Sequence, residues 1–280
     1  LFLAWKEKPD VIHGNWIVPT GLIASLAGLL TKTPVINTAR GMDMRVSEKG
    51  PVSFLFSLAV MLSDKLTVVS EDMRTRDSLK DAEVITSGAD QAFFDVSPSR
   101  GSNAVLHIRS LEPVYDPRTL VRAIPAVVKQ VSGARFVIAG GGSQEGFLKS
   151  LAAELGIEGY VSFPGVVPTR EVVNLMGQSS VYVSASTADG TSIALLEAIA
   201  AGLIPVVTDI GPNRLFVTHA VDGYLFRPGD ANDLAEKLIL ALTREIPGEI
   251  LEEKSRDIKE KVSWRSVANK FRTVYNEVLS

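Results

Sequence analysis

The chain has 280 residues, is 46% hydrophobic and contains no cysteine. That excludes disulfides and thiolate metal centres and leaves room for one or two domains with a sizeable core. Its 29 Lys and Arg against 32 Asp and Glu give a formal net charge of −3, and no basic run or interleaved aromatic stripe calls for a nucleic-acid partner. His13, His107 and His219 have no metal-ligand spacing, so no metal is expected.

The first residue is leucine rather than methionine. Segment 1–8 lacks a basic start and a small-residue cleavage site, and so makes a poor signal peptide. A spanning helix needs about 20 apolar residues. The apolar stretches 21–30 and 54–62 are shorter and are expected to be buried helices. A cytoplasmic location follows as the default. Peripheral contact at the inner membrane face stays open, because nothing in the composition forbids it.

In chain order, short β-branched runs predict strands over 11–13, 35–38, 66–69 and 84–86. A second series follows over 104–108, 135–139, 160–163, 181–184, 204–208 and 223–226. Apolar patterns at helical spacing, such as 120–131 and 147–155, lie between members of the second series. This βαβα alternation predicts a parallel sheet covered by helices on both faces. Six strands suit one complete doubly wound unit; four suit part of another. Segment 87–103, with Gly88, Pro98, Gly101 and several Ser and Asp residues, reads as a linker. The expected division is 1–95, 96–262 and a closing helix over 263–280. In that helix Trp264, Val267, Phe271, Val274, Tyr275 and Val278 share one face.

The most informative segment runs Ser184-Ala-Ser-Thr-Ala-Asp189-Gly-Thr-Ser-Ile-Ala-Leu-Leu-Glu197-Ala-Ile-Ala-Ala-Gly202. A strand ends at Ser184, and either Thr191 or Ser192 caps a helix that Gly202 stops. Backbone amides over 190–193 and the helix dipole favour an anion there. Glu197 is the one charge inside an apolar helix. It needs hydrogen-bond donors, which the hydroxyls of a ribose or a neighbouring Arg would supply. Asp189, taken alone, is more often an ordinary turn or N-cap aspartate. Arg109 falls just past the carboxyl end of a strand, where open α/β sheets bind ligands, and a guanidinium matches phosphate oxygens.

These residues resemble the E-x7-E region of retaining GT-B glycosyltransferases, chiefly family 4. Asp189 stands for the usual Glu there, and the spacing to Glu197 is intact. Leu106-His-Ile-Arg109-Ser-Leu resembles the family's strand-end Gly-Arg-Leu. Val114 replaces the lysine that usually follows five residues on, and Arg118 and Lys129 are the candidate substitutes. Val137-Ile-Ala-Gly-Gly-Gly-Ser resembles its Gly-x-Gly turn. Phe163-Pro-Gly165-Val-Val167-Pro resembles the loop that cradles the base, and Asp209-Ile-Gly-Pro-Asn-Arg214 a loop near the phosphates. In the first series, His13-Gly-Asn15 resembles His-x-His, with Asn15 for the second His. Thr38-Ala-Arg40-Gly-Met-Asp43 resembles His-Gly-x-Asp, with Arg40 for His.

The resemblance implies a GT-B fold of two Rossmann-like units, the first lacking its N-terminal part. It implies an acceptor-side unit with Asn15, Arg40 and Asp43, followed by a donor-binding unit and a C-terminal helix crossing back to the first. It implies retaining, metal-independent transfer from a nucleoside-diphosphate sugar, with no cofactor, to a carbohydrate or lipid-linked acceptor. Arg109 would neutralise the leaving diphosphate, together with amides at Gly190, Thr191 and Ser192. Asp189 would touch sugar hydroxyls, Glu197 would bind the ribose, and Gly165 and Val167 would line the base. The alternative is a sugar-nucleotide-binding unit with little turnover, in keeping with the substitutions at Asn15, Arg40 and Val114.

Overall fold

A computed structural model describes residues 2–41, 43–44, 47 and 50–280. The chain forms two compact units: Leu1–Gly88 with Trp264–Ser280, and Ala89–Ser263.

The first unit carries a parallel sheet of β1 (Ile12–Asn15), β2 (Val35–Ala39), β3 (Lys65–Val68) and β4 (Glu83–Val84), in that order. Phe56, Ala59, Val68 and Leu79 are fully enclosed on one side of it. On the other, Ile36 and Ile85 meet Val267 and Val274 of the helix Trp264–Leu279, with Phe271, Tyr275 and Val278 beside them. The shared apolar face read from the sequence is thus the packing face, except for Trp264, which is exposed, and His13 fastens it. Its Nδ1 lies 2.8 Å from the Tyr275 hydroxyl and its Nε2 2.7 Å from Thr38 Oγ1.

The two apolar stretches are helical, at Leu22–Thr31 and Pro51–Met61, but they are not buried as expected. Leu29, Leu30, Phe54 and Met61 are each more than 60% exposed. The first of these helices packs through its small residues Ala24, Ser25, Ala27 and Gly28. A Cβ at Gly28 would stand 2.1 Å from the Val35 side chain. The close approach is therefore made on the small face, and the leucines point away. No helix among the described residues is long and apolar enough to cross a membrane.

The second unit is a six-stranded parallel sheet with β5 (Ala104–Ile108), β6 (Arg135–Ala139), β7 (Val161–Gly165), β8 (Val181–Ser184), β9 (Ile204–Thr208) and β10 (Tyr224–Phe226). The spatial order is β10-β9-β8-β5-β6-β7. From β5 the chain steps outward to β6 and β7. It then returns to the other side of β5 at β8 and steps outward again. This reversal is the doubly wound switch point, and it opens a crevice at the carboxyl ends of β5 and β8. One core layer centres on Leu120, Ile124, Phe136, Leu148 and Leu234. The opposite layer centres on Leu106, Tyr182, Leu195, Leu196 and Ile199.

Segment 87–103 is more firmly packed than a composition-based linker suggests. The Ala89 amide donates to Val262 O at 2.8 Å. Phe93 is buried in the second layer, and Lys259 Nζ donates to Phe94 O at 2.6 Å. Ser99, Arg100 and Gly101 are exposed.

Candidate functional site

The switch-point crevice is built from the ends of two strands. Past β5, residues 109–111 run beside the triple-glycine turn. The Leu111 amide donates to Gly141 O at 2.8 Å, and the Gly140 amide donates to Gly165 O at 2.8 Å. Gly140 has φ +140°, and a Cβ there would stand 1.9 Å from Arg109 O. Only glycine lets the turn approach that closely. Glu112 closes the turn from the other side, accepting from the Ser143 amide at 2.8 Å and the Ser143 hydroxyl at 2.6 Å. Those bonds hold its carboxyl below the usual range.

Past β8 the chain makes a polar loop and enters the helix Ile193–Ala200. Ser192, not Thr191, is the N-cap, its hydroxyl accepting from the Leu195 amide at 3.3 Å. Gly202, at φ +81°, follows the helix end in the left-handed conformation read from the sequence.

The two strand ends meet at Arg109. Its Nη2 donates to Asp189 Oδ2 at 2.5 Å and its Nη1 to Ser192 Oγ at 3.0 Å. The guanidinium carbon lies 4.2 Å from the Tyr115 ring centre. Both ionic side chains are nearly enclosed, at 13% and 14% exposure. Burial works against the charge on Arg109, but Asp189, Tyr182 and Tyr115 more than offset it, and its pKa is raised. For Asp189 burial is the larger effect and outweighs Arg109, so its carboxyl is also raised. The carboxylate is therefore held by a partner that does not fully compensate its loss of water.

Glu197 is half-buried on the same helix. Among the described residues its carboxylate makes no ion pair, so the neighbouring-Arg reading is not what the structure contains. Burial, and then the nearby carboxylate of Asp90, push its pKa up to about 7. Asp90 itself accepts from the Ala92 amide at 2.9 Å.

The remaining sequence-derived residues fall as follows. Gly190 and Thr191 lie in the loop between Asp189 and the N-cap, and the Gly190 amide helps stabilise the Asp189 carboxylate. Gly165, at φ +75°, ends β7, and Val167 packs on the second core layer. A Cβ at Gly141 would meet Val166, which places this loop beside the triple-glycine turn. The Val114 carbonyl is pinned by the Thr187 amide at 3.0 Å. Arg118 lies 4.6 Å over the Phe147 ring. With the Gln144 amide turned to offer its oxygen, Arg118 also donates to it at 2.9 and 3.1 Å. Lys129 is in the last turn of the helix Pro117–Gln130, away from the crevice. Arg214 pairs with Asp209 at 2.6 Å.

Asn15, Arg40 and Asp43 belong to the first unit. Asn15 ends β1 and is exposed. Arg40 donates to Ser87 Oγ at 3.1 Å. Asp43 is buried and accepts from the amides of Ile17, Arg40 and Gly41 at 2.8, 3.0 and 2.9 Å, which makes it the organiser of its loop.

Sequence reasoning missed Tyr115, Tyr182 and the part of Asp90 beside Glu197. Tyr182 left one signal, a phenol inside an otherwise apolar strand. It is fully buried on β8. Burial raises its pKa to about 12, opposed by Arg109 and Ser192. A cavity of about 370 Å³ opens at the other, amino-terminal edge of the sheet, near Ser102, Ser180 and Ile204, and holds none of these residues.

The sequence profile described as "Glycosyl transferases group 1" matches residues 89–262. The chain belongs to this glycosyltransferase family. A second profile, "Glycosyl transferase 4-like", matches residues 3–71. The glycosyltransferase is 24% identical over 296 aligned residues to N-acetyl-alpha-D-glucosaminyl L-malate synthase of Bacillus anthracis, covering 99% of this chain and 77% of that one. Its fold is that of the GT-B structure of Anabaena HepE in complex with UDP and glucose, with TM-score 0.82 and 17% identity over 99% and 80% of the two chains. The pneumococcal O-GlcNAc transferase GtfA, solved with UDP and GlcNAc, aligns at TM-score 0.75 and 19% identity over 93% and 55%. The glycosyltransferase thus has the two-unit GT-B architecture expected from its motifs.

Proposed function

We propose that this glycosyltransferase moves a sugar from a nucleoside-diphosphate sugar to a carbohydrate or lipid-linked acceptor, with retention of configuration and without a metal ion. The observations that carry the reading are the Arg109 guanidinium bonded to Asp189 and Ser192 at the switch-point crevice, and the half-buried carboxylate of Glu197, without an ion pair among the described residues, on the helix that Ser192 caps. A diphosphate supplies the anion for the first, and a ribose supplies hydroxyl donors for the second. The relatives solved with UDP and a sugar support the same donor class. Arg109 stabilises the charge that develops on the departing diphosphate, which makes a metal unnecessary. Asp189 faces sugar hydroxyls, the backbone at Gly165–Val167 lines the base, and Asn15 and Arg40 serve the acceptor.

A thermal-shift panel of UDP, GDP, ADP and their sugars tests donor binding. NMR of the product's anomeric centre tests retention, and turnover in excess chelator tests metal independence. If no nucleotide raises the melting temperature, the reading fails. The reading as a binding unit with little turnover draws on Val114, which brings no cation, and on Arg118, which is turned towards Gln144 and Phe147. Measurable binding without transfer would favour it.

A further inference from the structure

The carboxylate of Asp189 occupies the place that an anionic ligand of this crevice would need. It holds one arm of the Arg109 fork at 2.5 Å and engages the Gly190 amide. The other arm is on Ser192 at 3.0 Å, and Tyr115 covers the guanidinium face. The Nε of Arg109 is buried and has no hydrogen-bond partner among the described residues. A diphosphate therefore cannot take the planar edge of this guanidinium in bidentate fashion while the Asp189 contact persists. Two anions compete for one cation in a nearly enclosed place, where displacing either is costly unless it gains new partners.

We propose that Asp189 is an internal competitor for the diphosphate subsite, and that this makes the site discriminate a sugar-bearing nucleotide from the spent nucleoside diphosphate. The inference rests on the donor reading above. When an intact donor binds, the diphosphate takes Arg109, and the displaced carboxylate is satisfied by hydroxyl donors of the sugar. Once the sugar has been transferred, those donors are gone. Asp189 is left with the Gly190 amide alone beside Arg109 as donors, and it returns to Arg109, weakening the hold on the nucleoside diphosphate. The residue thus favours substrate entry and product departure through one side chain. A carboxylate one methylene longer would have more reach towards the sugar and a less constrained path back to Arg109.

The test is calorimetric titration of the full chain with inorganic pyrophosphate, a nucleoside diphosphate and its sugar, for wild type, Asp189→Asn and Asp189→Ser. Losing a hydrogen bond to a charged group shifts an equilibrium by about tenfold or more. Both variants should therefore bind pyrophosphate and the nucleoside diphosphate about tenfold more tightly than wild type, and the sugar nucleotide no more tightly. A damaged fold does not produce tighter binding, so this outcome separates competition from a structural role. Equal or weaker pyrophosphate binding by both variants, with wild type still binding nucleotide, overturns the competitor and leaves the donor reading standing. If wild type and Arg109→Ala bind none of the three ligands, both inferences fall.

Discussion

Glu197 offers a perturbation whose effects on stability and binding have opposite signs. Its carboxyl rises from the ordinary 4.5 to about 7, through burial first and the Asp90 carboxylate second. A raised folded-state pKa means that the protonated form fits the fold better. The associated stability is fully present below pH 4.5 and is lost as pH rises through 7. A shift of that size corresponds to about 3 kcal/mol, and partial solvent access brings the expected value to roughly 2 kcal/mol. Glu197→Gln keeps the shape and removes the charge. At pH 8 the variant should therefore be about 2 kcal/mol more stable than wild type, and the gap should shrink to a minor part of that by pH 5 and close below pH 4.5. The same substitution removes the charged acceptor proposed for the ribose, so nucleoside diphosphate binding at pH 8 should weaken about tenfold. Urea unfolding at pH 5 and 8 measures the first effect, and calorimetric titration measures the second. Equal stability of the two proteins at pH 8 would refute the electrostatic argument. Unchanged nucleotide affinity would remove Glu197 from the donor site.

Arg109→Ala should lower kcat by about a hundred- to a thousandfold, since it removes a preorganised donor from the developing charge, and Arg109→Lys should restore only part of it; values within a factor of two of wild type would place the phosphate clamp elsewhere. Val114→Lys should lower the donor KM, because the Val114 backbone is fixed by Thr187 at the crevice; an unchanged KM would show that the side chain is aimed away. Gly140→Ala sets a Cβ 1.9 Å from Arg109 O at a positive φ and should cost about 1–3 kcal/mol in urea unfolding, together with donor affinity; wild-type stability would contradict the close approach. His13 is held below its usual pKa by burial and then by Arg40, so the stability it contributes is present above pH 6.5 and is lost as pH falls. Amide protection in the helix Trp264–Leu279, taken relative to the intrinsic exchange rate at each pH, should fall between pH 7 and pH 5, and His13→Gln should flatten that dependence. Equal pH sensitivity in the variant would show that His13 is not the fastening group.

Much of the fold was legible because the two periodicities are clean. β5, β6, β8 and β9 begin and end where their β-branched runs do, and the turn chemistry of Gly202 reads directly as a helix stop. The helices Leu22–Thr31 and Pro51–Met61 were misjudged as buried because mean apolarity does not say which face packs. In the first, alanines and a glycine make the close contact, and the leucines do not. Asp189, Ser192 and Arg109 were each legible alone. Their direct bonding was not, since Arg109 and Asp189 are 80 residues apart and no local pattern encodes which carboxylate a guanidinium will choose. The packed state of 89–94 was also hidden, because polar composition signals a loop but not what the loop leans on.

The Ser192 hydroxyl takes one hydrogen bond from the first turn of its own helix and another from Arg109, 83 residues away. Helix and guanidinium are therefore geared together. A ligand that pushes the helix start outward pulls the cation with it, and one that draws in the cation tugs the helix start. Loss of the Ser192 hydroxyl would break both links at once, leaving the first turn of the helix without its cap and one arm of the guanidinium without its partner.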